Sequence, residues 1–356
     1  MAKAGRGNHP LRRRWSNNGA NSYLELNGLA EDLRVVDSAP GIDAVVKDLK
    51  HSEQSEPARH VIRSAALFAR DKSTRIVEFV VQKSSEVPDL MMNINGSNLA
   101  VEAKLMSKSD DEEMFEQYAN LLTRQIFMQI LNKTSINPHI QVIIKTYNEL
   151  PKVHDVITTI SQRMNEFHES PLWSRSETFN IMITRPPLND AMEFYRFCMI
   201  LCPRSAKENI RVQKRAQKAS SQLLADSEND RTGLFCLELQ EYQNPHVIRD
   251  LLVRRFSQSQ YRGISGVLLS RSGTHLGPPQ RSTVQFMGTV NNPSSCSPVP
   301  AGIQIAPLGP TFNLFEVFPQ SEEVPAYRFS ELEAKGTSNA KFYLPKIATL
   351  TRKMLD

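Results

Sequence analysis

The chain has 356 residues, 40% hydrophobic and 23% charged, which is the composition of an ordinary globular protein able to bury a core. Its 43 basic and 38 acidic residues give a net charge of +5, a mild bias toward polyanions. The basic first 15 residues lack the apolar stretch of a signal peptide, and Arg196 interrupts one of the most apolar runs. We therefore expect a cytoplasmic protein with no membrane partner.

Metal-binding cysteine motifs and nucleotide-binding motifs are missing from the sequence. Its four cysteines form no CxxC pair, which favours free thiols over a zinc site. Neither a GxGxxG turn nor a GxxxxGK[ST] loop occurs, so dinucleotide and P-loop nucleotide binding lack support.

The first elements predict a helical segment that leads into a sheet. Residues 1–40 are predicted to be irregular, as a basic and flexible segment. A short helix is expected at 42–49 and a firmer one at 57–70, where Pro57 suits a first turn. The β-branched residues 75–81 predict the first strand.

The stretch from Pro88 to Lys104 reads as a β-hairpin with charged residues at one edge. Asn95-Gly96 suits a two-residue turn, because both residues tolerate positive φ angles. Glu102 and Lys104 lie two apart on the second strand, so their side chains leave the same face. Asp89 lies 13 residues before Glu102. Two carboxylates and an ammonium group are therefore expected to converge, as they do where a divalent cation lies beside a phosphate.

Pro88-Asp89 followed by Glu102-Ala103-Lys104 resembles the signature of the PD-(D/E)xK nuclease superfamily, whose fold is that of many restriction enzymes and repair nucleases. The resemblance implies an α/β fold with a mixed central sheet flanked by helices, in a restriction-endonuclease-like core. It implies that Asp89, Glu102 and the carbonyl of Ala103 ligate Mg²⁺, with Mn²⁺ as a substitute. Lys104 would then orient or deprotonate the attacking water.

The next segment continues the alternation of helices and strands that the resembled family shows. A long helix is predicted at 110–132, with an apolar face of Met114, Tyr118, Leu121 and Met128. Strands at 140–146 and 179–184 enclose a helix at 153–167.

A helix predicted at 205–225 carries a line of basic residues beside an apolar seam. The line consists of Arg204, Lys207, Arg211, Arg215 and Lys218. Stacked Lys and Arg side chains neutralise successive phosphates, so we expect this line to bind DNA, with RNA as an alternative. An amphipathic helix facing solvent is the other interpretation. A strand at 234–239, a helix at 245–256 and a strand at 264–269 follow.

Members of the resembled family also carry a Lys/Gln helix of the form Lys-Ala-x-x-Gln-Leu. Residues 218–223 match this form and assign the catalytic glutamine to Gln222. About 100 residues separate Gln222 from Glu102, so either these residues are an insertion or Gln117 or Gln125 takes the role. The acid expected before the first strand has no counterpart at 57–70. Glu53 or Glu56 could supply it, and Glu78 is a weaker candidate.

From 272 to 356 Gly, Pro and Ser become frequent, which predicts a loop-rich C-terminal extension. The expected organisation is therefore a basic segment (1–40), a restriction-endonuclease-like domain (41–271) and this extension (272–356), in a chain that could form a homo-oligomer. The expected function is that of a metal-dependent DNA endonuclease, and the resemblance favours the restriction or defence type. A non-cleaving nucleic-acid-binding or assembly module with the same fold is the main alternative, and a protein–protein interaction component is another.

Overall fold

Two compact units make up the chain. The computed structural model describes residues 9, 11, 20–80, 87–106, 108–134, 138–147, 149–167, 171–184, 197–201, 207–225, 231–240, 243–275, 282–300, 303, 311–313 and 327–328. The first unit comprises Met1–Met106, Lys207–Gln240 and Asn244–Ser321. The second comprises Ser107–Ala206, Glu241–Gln243 and Glu322–Asp356. The second unit therefore interrupts the first along the chain.

Helices and strands alternate along most of the described chain. The helices are α1 (Ala20–Val36), α2 (Ile42–Leu49), α3 (Ser55–Ala69), α4 (Asp110–Ile126, continued by a π-helical turn at Phe127–Leu131), α5 (Val153–Glu166), α6 (Glu208–Ala225) and α7 (Pro245–Arg255). The strands are β1 (Thr74–Phe79), β2 (Leu90–Ile94), β3 (Ser97–Leu105), β4 (His139–Ile144), β5 (Leu172–Arg175), β6 (Phe179–Thr184), β7 (Phe197–Leu201), β8 (Thr232–Glu238), β9 (Gly266–His275), β10 (Ser282–Asn291), β11 (Thr311–Asn313) and β12 (Tyr327–Arg328).

The first unit is built on a mixed seven-stranded sheet in the order β1-β2-β3-β8-β9-β10-β11. Strands β1 to β3 pair antiparallel, whereas β3, β8 and β9 run parallel to one another. Every residue of the central strand β8 is buried, as expected for a parallel strand covered on both faces. The expectation of an α/β fold with a mixed sheet flanked by helices is confirmed.

Side-chain alternation separates the two faces of this sheet. Val101 and Ala103 of β3 join Cys236 of β8 in an apolar core with residues of α1, α2 and α3. Glu102 and Lys104, at the alternate positions, therefore face the opposite side. Helix α6 packs on that side, since a Cβ built on Gly233 would lie 3.3 Å from the Cβ of Leu223.

The second unit is built on a five-stranded sheet in the order β12-β7-β4-β6-β5. Alternate residues of β4 and β6 are buried with residues of α4 and α5 in a separate core. Helix α4 begins with a capping box in which Ser109 accepts from the backbone of Glu112, whose side chain accepts in return from the Ser109 backbone.

The apolar face predicted for α4 is wrong for three of its four residues, whereas Tyr118 is half-buried and packs against the core. Met114, Leu121 and Met128 are each at least half exposed, and the buried face consists of Phe115, Ala119, Leu122 and Ile126. Both sets have helical spacing and differ by about one residue, or roughly 100° around the axis. Periodicity alone identifies two apolar lines here and does not decide which of them meets the sheet.

Two further expectations about local structure differ from the fold. Part of the segment predicted to be irregular forms α1, in which Leu29 and Val36 are buried one above the other. Within the extension predicted to be loop-rich, β10 pairs antiparallel with β9 over ten residues and joins the first sheet. Arg204, the first residue of the predicted basic line, lies outside the described residues. Within the described part of the chain, no helix has the length and apolarity needed to cross a membrane.

Candidate active site

The hairpin formed by β2 and β3 brings Asp89, Glu102 and Lys104 together in the first unit. Asn95 and Gly96 have φ angles of 50° and 84°, the conformation that the predicted two-residue turn requires. Leu90 pairs with Val101, and the backbone N–H of Asp89 donates to the Val101 carbonyl at 3.0 Å. The register between β2 and β3 therefore places Asp89 opposite Glu102. The predicted hairpin is confirmed.

One ammonium group lies between the two carboxylates. Lys104 Nζ contacts Glu102 Oε1 directly and lies 3.7 Å from Asp89 Oδ2. The same Asp89 oxygen accepts a hydrogen bond from the Ala103 backbone N–H at 2.8 Å. This bond fixes the Asp89 carboxylate against β3, the strand that carries Glu102.

Glu102 is the electrostatically strained member of the group. Its side chain is fully buried, and among the described residues its carboxylate oxygens contact no donor other than the Lys104 ammonium. Burial first, and then repulsion from Asp89, raise the pKa of Glu102 to about 8 in spite of the attraction of Lys104. A further positive charge nearby would stabilise the ionised form of a buried carboxylate whose pKa is raised in this way.

These residues fit a divalent cation with few protein ligands. Mg²⁺ prefers hard oxygen ligands and retains several waters, so two carboxylates are a usual protein contribution. Lys104 already marks a position where a cation is attracted by both acids. No third His, Cys, Asp or Glu joins them among the residues that the structure describes. Glu56 instead pairs with Arg59 at 3.0 Å, and Glu53 and Glu78 are exposed.

Helix α6 brings Gln222 and Lys218 to the face of the sheet that carries Glu102. Gln222 is buried, and its Nε2 donates to the carbonyl of Val87 at 3.2 Å, two residues before Asp89. Its Oε1 has no hydrogen-bond partner in the described part of the chain. Lys218 is exposed, and its charge favours the ionised form of Glu102. Gln222 belongs to the unit that holds Glu102, whereas Gln117 and Gln125 belong to the other unit.

The predicted basic line continues along α6 from Lys218 toward its first turn. Lys207 and Lys218 are exposed, whereas Arg211 and Arg215 are half-buried. Burial, followed by repulsion from Arg211, lowers the pKa of Arg215. Repulsion between neighbouring guanidinium groups indicates a surface with positive potential, which attracts polyanions.

A second charged cluster, which the sequence analysis did not find, lies on the opposite face of the sheet. Glu238 at the end of β8 is buried and contacts Arg63 at 3.1 Å and His60 at 3.0 Å. Burial alone would raise the pKa of Glu238, but Arg59, Arg63 and His60 hold it well below its ordinary value. The signal in the sequence was the presence of Arg59, His60 and Arg63, three basic residues within five positions of a helix with many apolar residues. We assign this cluster a structural role, because it joins α3 to β8.

Comparison with known proteins found no matching family model, no matching curated protein and no matching solved structure.

Proposed function

We propose that this chain is a Mg²⁺-dependent endonuclease that hydrolyses phosphodiester bonds of DNA, with a restriction-endonuclease-like core in its first unit. The observation that carries the proposal is the convergence of Asp89, Glu102 and Lys104 at the hairpin, with Glu102 buried and its pKa raised to about 8. A site of this kind destabilises the fold, so its retention is explained by a ligand that relieves the strain.

Each residue of the group has a distinct role in this proposal. Asp89 and Glu102 would hold the cation through carboxylate oxygens, with the Ala103 carbonyl as a third ligand. The bound Mg²⁺ supplies Lewis-acid chemistry at the phosphoryl group and makes water more acidic. Lys104 carries a proton at Nζ beside both acids, where it orients the attacking water and balances negative charge on the phosphate.

Helix α6 would add positioning and substrate binding. Gln222 fixes the Val87 carbonyl and hence the segment that leads to Asp89, and its Oε1 is available to accept a hydrogen bond from water. Lys207, Arg211, Arg215 and Lys218 would track the DNA backbone from one turn of the helix to the next. Backbone contacts position the substrate without reading its sequence.

The test is a cleavage assay with purified protein on supercoiled, linear and single-stranded DNA, in Mg²⁺, Mn²⁺ or EDTA. We expect metal-dependent cutting that Glu102→Gln reduces by at least about 100-fold, since this change removes a charged ligand without changing shape. Glu177→Gln is the matched control, because Glu177 is exposed on the second unit and should leave cutting unchanged. Cutting by Glu102→Gln at the wild-type rate would contradict the site.

One observation favours a second candidate, a nucleic-acid-binding module that does not cleave. Only two carboxylates converge in the described part of the first unit, and a third acid does not join them. Such a module would bind DNA through α6 without requiring Mg²⁺. Tight DNA binding without cutting of any DNA form, in either metal, would favour this candidate over the nuclease.

A further inference from the structure

Helix α4 of the second unit carries an apolar line that its own core does not use. Met114, Leu121 and Met128 are 50%, 50% and 55% exposed. We call these three residues the exposed stripe. Large side chains exposed singly are common on protein surfaces, but three in line on one helix form a patch, and patches mark interaction sites.

The exposed stripe has the spacing of a helix that packs against another helix. Its members are seven residues apart, and between Met114 and Leu121 the line drifts by only about 20° around the helix. Met128 follows in the π-helical turn at Phe127–Leu131. Tyr118 and Gln125 lie between them and complete an alternating spacing of three and four residues, the pattern of a coiled-coil seam. Tyr118 is half-buried and also packs against the core of its own unit. The buried face of α4, which includes Leu122 and Ile126, is about 100° away around the axis.

The charges along this helix distinguish the two directions in which a helical partner could lie. Between Asp110 and Glu116 all the charged residues are acidic, and from there to Lys133 the charged residues are Arg124 and Lys133. Glu112 is buried in the capping box and Glu116 pairs with Lys108 at 2.6 Å, so the exposed acids of the first turn are Asp110 and Glu113. A second copy of the helix in a parallel arrangement would set acids against acids. An antiparallel copy sets the acidic first turns of each helix near the basic end of the other, and it opposes the two helix dipoles favourably.

We propose that the exposed stripe binds the exposed stripe of a second copy of this chain, with the two α4 helices antiparallel about a two-fold axis at Leu121. Met114 of one copy then faces Met128 of the other, and Lys133 approaches Asp110. The proposal depends only on the second unit and not on the nuclease function. A two-fold interface of this kind is self-complementary, because the same residues are presented by both copies.

The size of the exposed stripe determines the strength of the expected dimer. Three half-exposed side chains offer on the order of 300 Å² of apolar area, the size of the largest patch on a typical monomer. A standard interface buries about 800 Å² on each partner. The association is therefore expected to be weak, with a midpoint of about 10 µM, and visible only as a function of concentration.

The first experiment is sedimentation equilibrium of the full chain between about 1 and 100 µM. We expect a monomer–dimer equilibrium that Leu121→Glu shifts at least tenfold toward monomer. Asn120→Glu is the matched control: it adds the same charge at the neighbouring exposed position, away from both apolar lines, and should leave the equilibrium unchanged. Far-UV circular dichroism of both variants checks that α4 stays folded. A monomer at all concentrations, or equal effects of the two variants, overturns the proposal.

Cysteine cross-linking then tests the direction of pairing. Cys202 and Cys296 are first replaced by Ser, so that they do not compete in the cross-linking. Cys198 and Cys236 are kept because they are buried. In this background Leu121→Cys should form a disulfide-linked dimer, and a mixture of Met114→Cys with Met128→Cys should cross-link between the two variants. Met114→Cys by itself should not. Cross-linking of Met114→Cys alone would require parallel helices and would overturn the antiparallel arrangement.

Discussion

The change Glu102→Gln tests the electrostatics of the site independently of any substrate. Glutamine has the shape of the neutral acid, so the variant reproduces the protonated form of Glu102 at every pH. The pKa of Glu102 is about 8 in the folded chain and has an ordinary value of 4.5. Between these values the folded state retains a proton that the unfolded state has released.

The sign of the effect on stability follows from this difference. The folded state binds more protons than the unfolded state between pH 4.5 and pH 8, so the stability that wild type draws from protonated Glu102 is fully present below pH 4.5 and is lost as pH rises through 8. The loss between pH 5 and pH 9 is on the order of 4 kcal/mol. Glu102→Gln has no carboxyl group to ionise at this position and avoids this loss. The free energy of unfolding of the variant should therefore be close to that of wild type at pH 5 and higher by about 4 kcal/mol at pH 9.

Urea unfolding at pH 5 and pH 9 in the presence of EDTA measures the two free energies of unfolding. Glu177→Gln, at an exposed position, should follow wild type at both values. A difference between Glu102→Gln and wild type that changes by less than about 1 kcal/mol over this range would refute the reasoning. Addition of Mg²⁺ at pH 9 should then raise the free energy of unfolding of wild type and leave that of Glu102→Gln unchanged. A ligand that binds only the folded state stabilises the protein, and the variant lacks the charged ligand.

Three further predictions concern the same unit. Asp89→Ala removes the acceptor of the Ala103 N–H and should lower the free energy of unfolding by about 1 kcal/mol while abolishing cleavage, whereas Asp89→Asn should abolish cleavage at nearly wild-type stability. Glu238→Gln removes the buried negative charge that Arg59, Arg63 and His60 share, so urea unfolding should show a loss of about 3 to 5 kcal/mol. Replacing both Lys207 and Lys218 by Gln should weaken DNA binding and reduce the slope of log K against log[salt] by about 2.

Two of these have a control or a contrary outcome within the same protein. Replacing the exposed residues Lys47 and Lys50 by Gln changes the net charge equally and should leave the salt slope unchanged. An unchanged slope in the α6 variant would remove that helix from the DNA interface. Global unfolding of Asp89→Asn in a thermal melt would show that the carboxylate is needed for the fold, which the proposed site does not require.

Local signals identified the hairpin and most helices because the responsible residues are neighbours in the chain. Asn95 and Gly96 determine a turn by their own φ preferences, and alternation along β3 assigns Glu102 and Lys104 to one face. The convergence of three of the predicted site residues could therefore be anticipated from 17 residues. What those residues bind or cleave is not encoded at this level and remains a proposal.

Other features depend on contacts between distant residues, and sequence patterns did not reveal them. The contact of Arg63 with Glu238 joins residues 175 positions apart. The return of β10 to the first sheet depends on pairing with β9 and not on the composition of its own segment. For α4 the pattern contained both apolar lines, and only the second-unit sheet selects Phe115 and its neighbours as the buried one.

The order in which the strands of the first unit are synthesised has a consequence for how this chain folds in the cell. Strand β3 ends at Leu105, and β8, its parallel neighbour in the sheet, begins at Thr232. At a ribosomal rate of roughly 5 to 20 residues per second, the edge of β3 that pairs with β8 remains without this strand for about 6 to 25 seconds. During that interval an apolar strand displays unpaired backbone groups, a state that invites aggregation. We therefore expect the nascent chain to depend on a chaperone, and the second unit to complete its own core first.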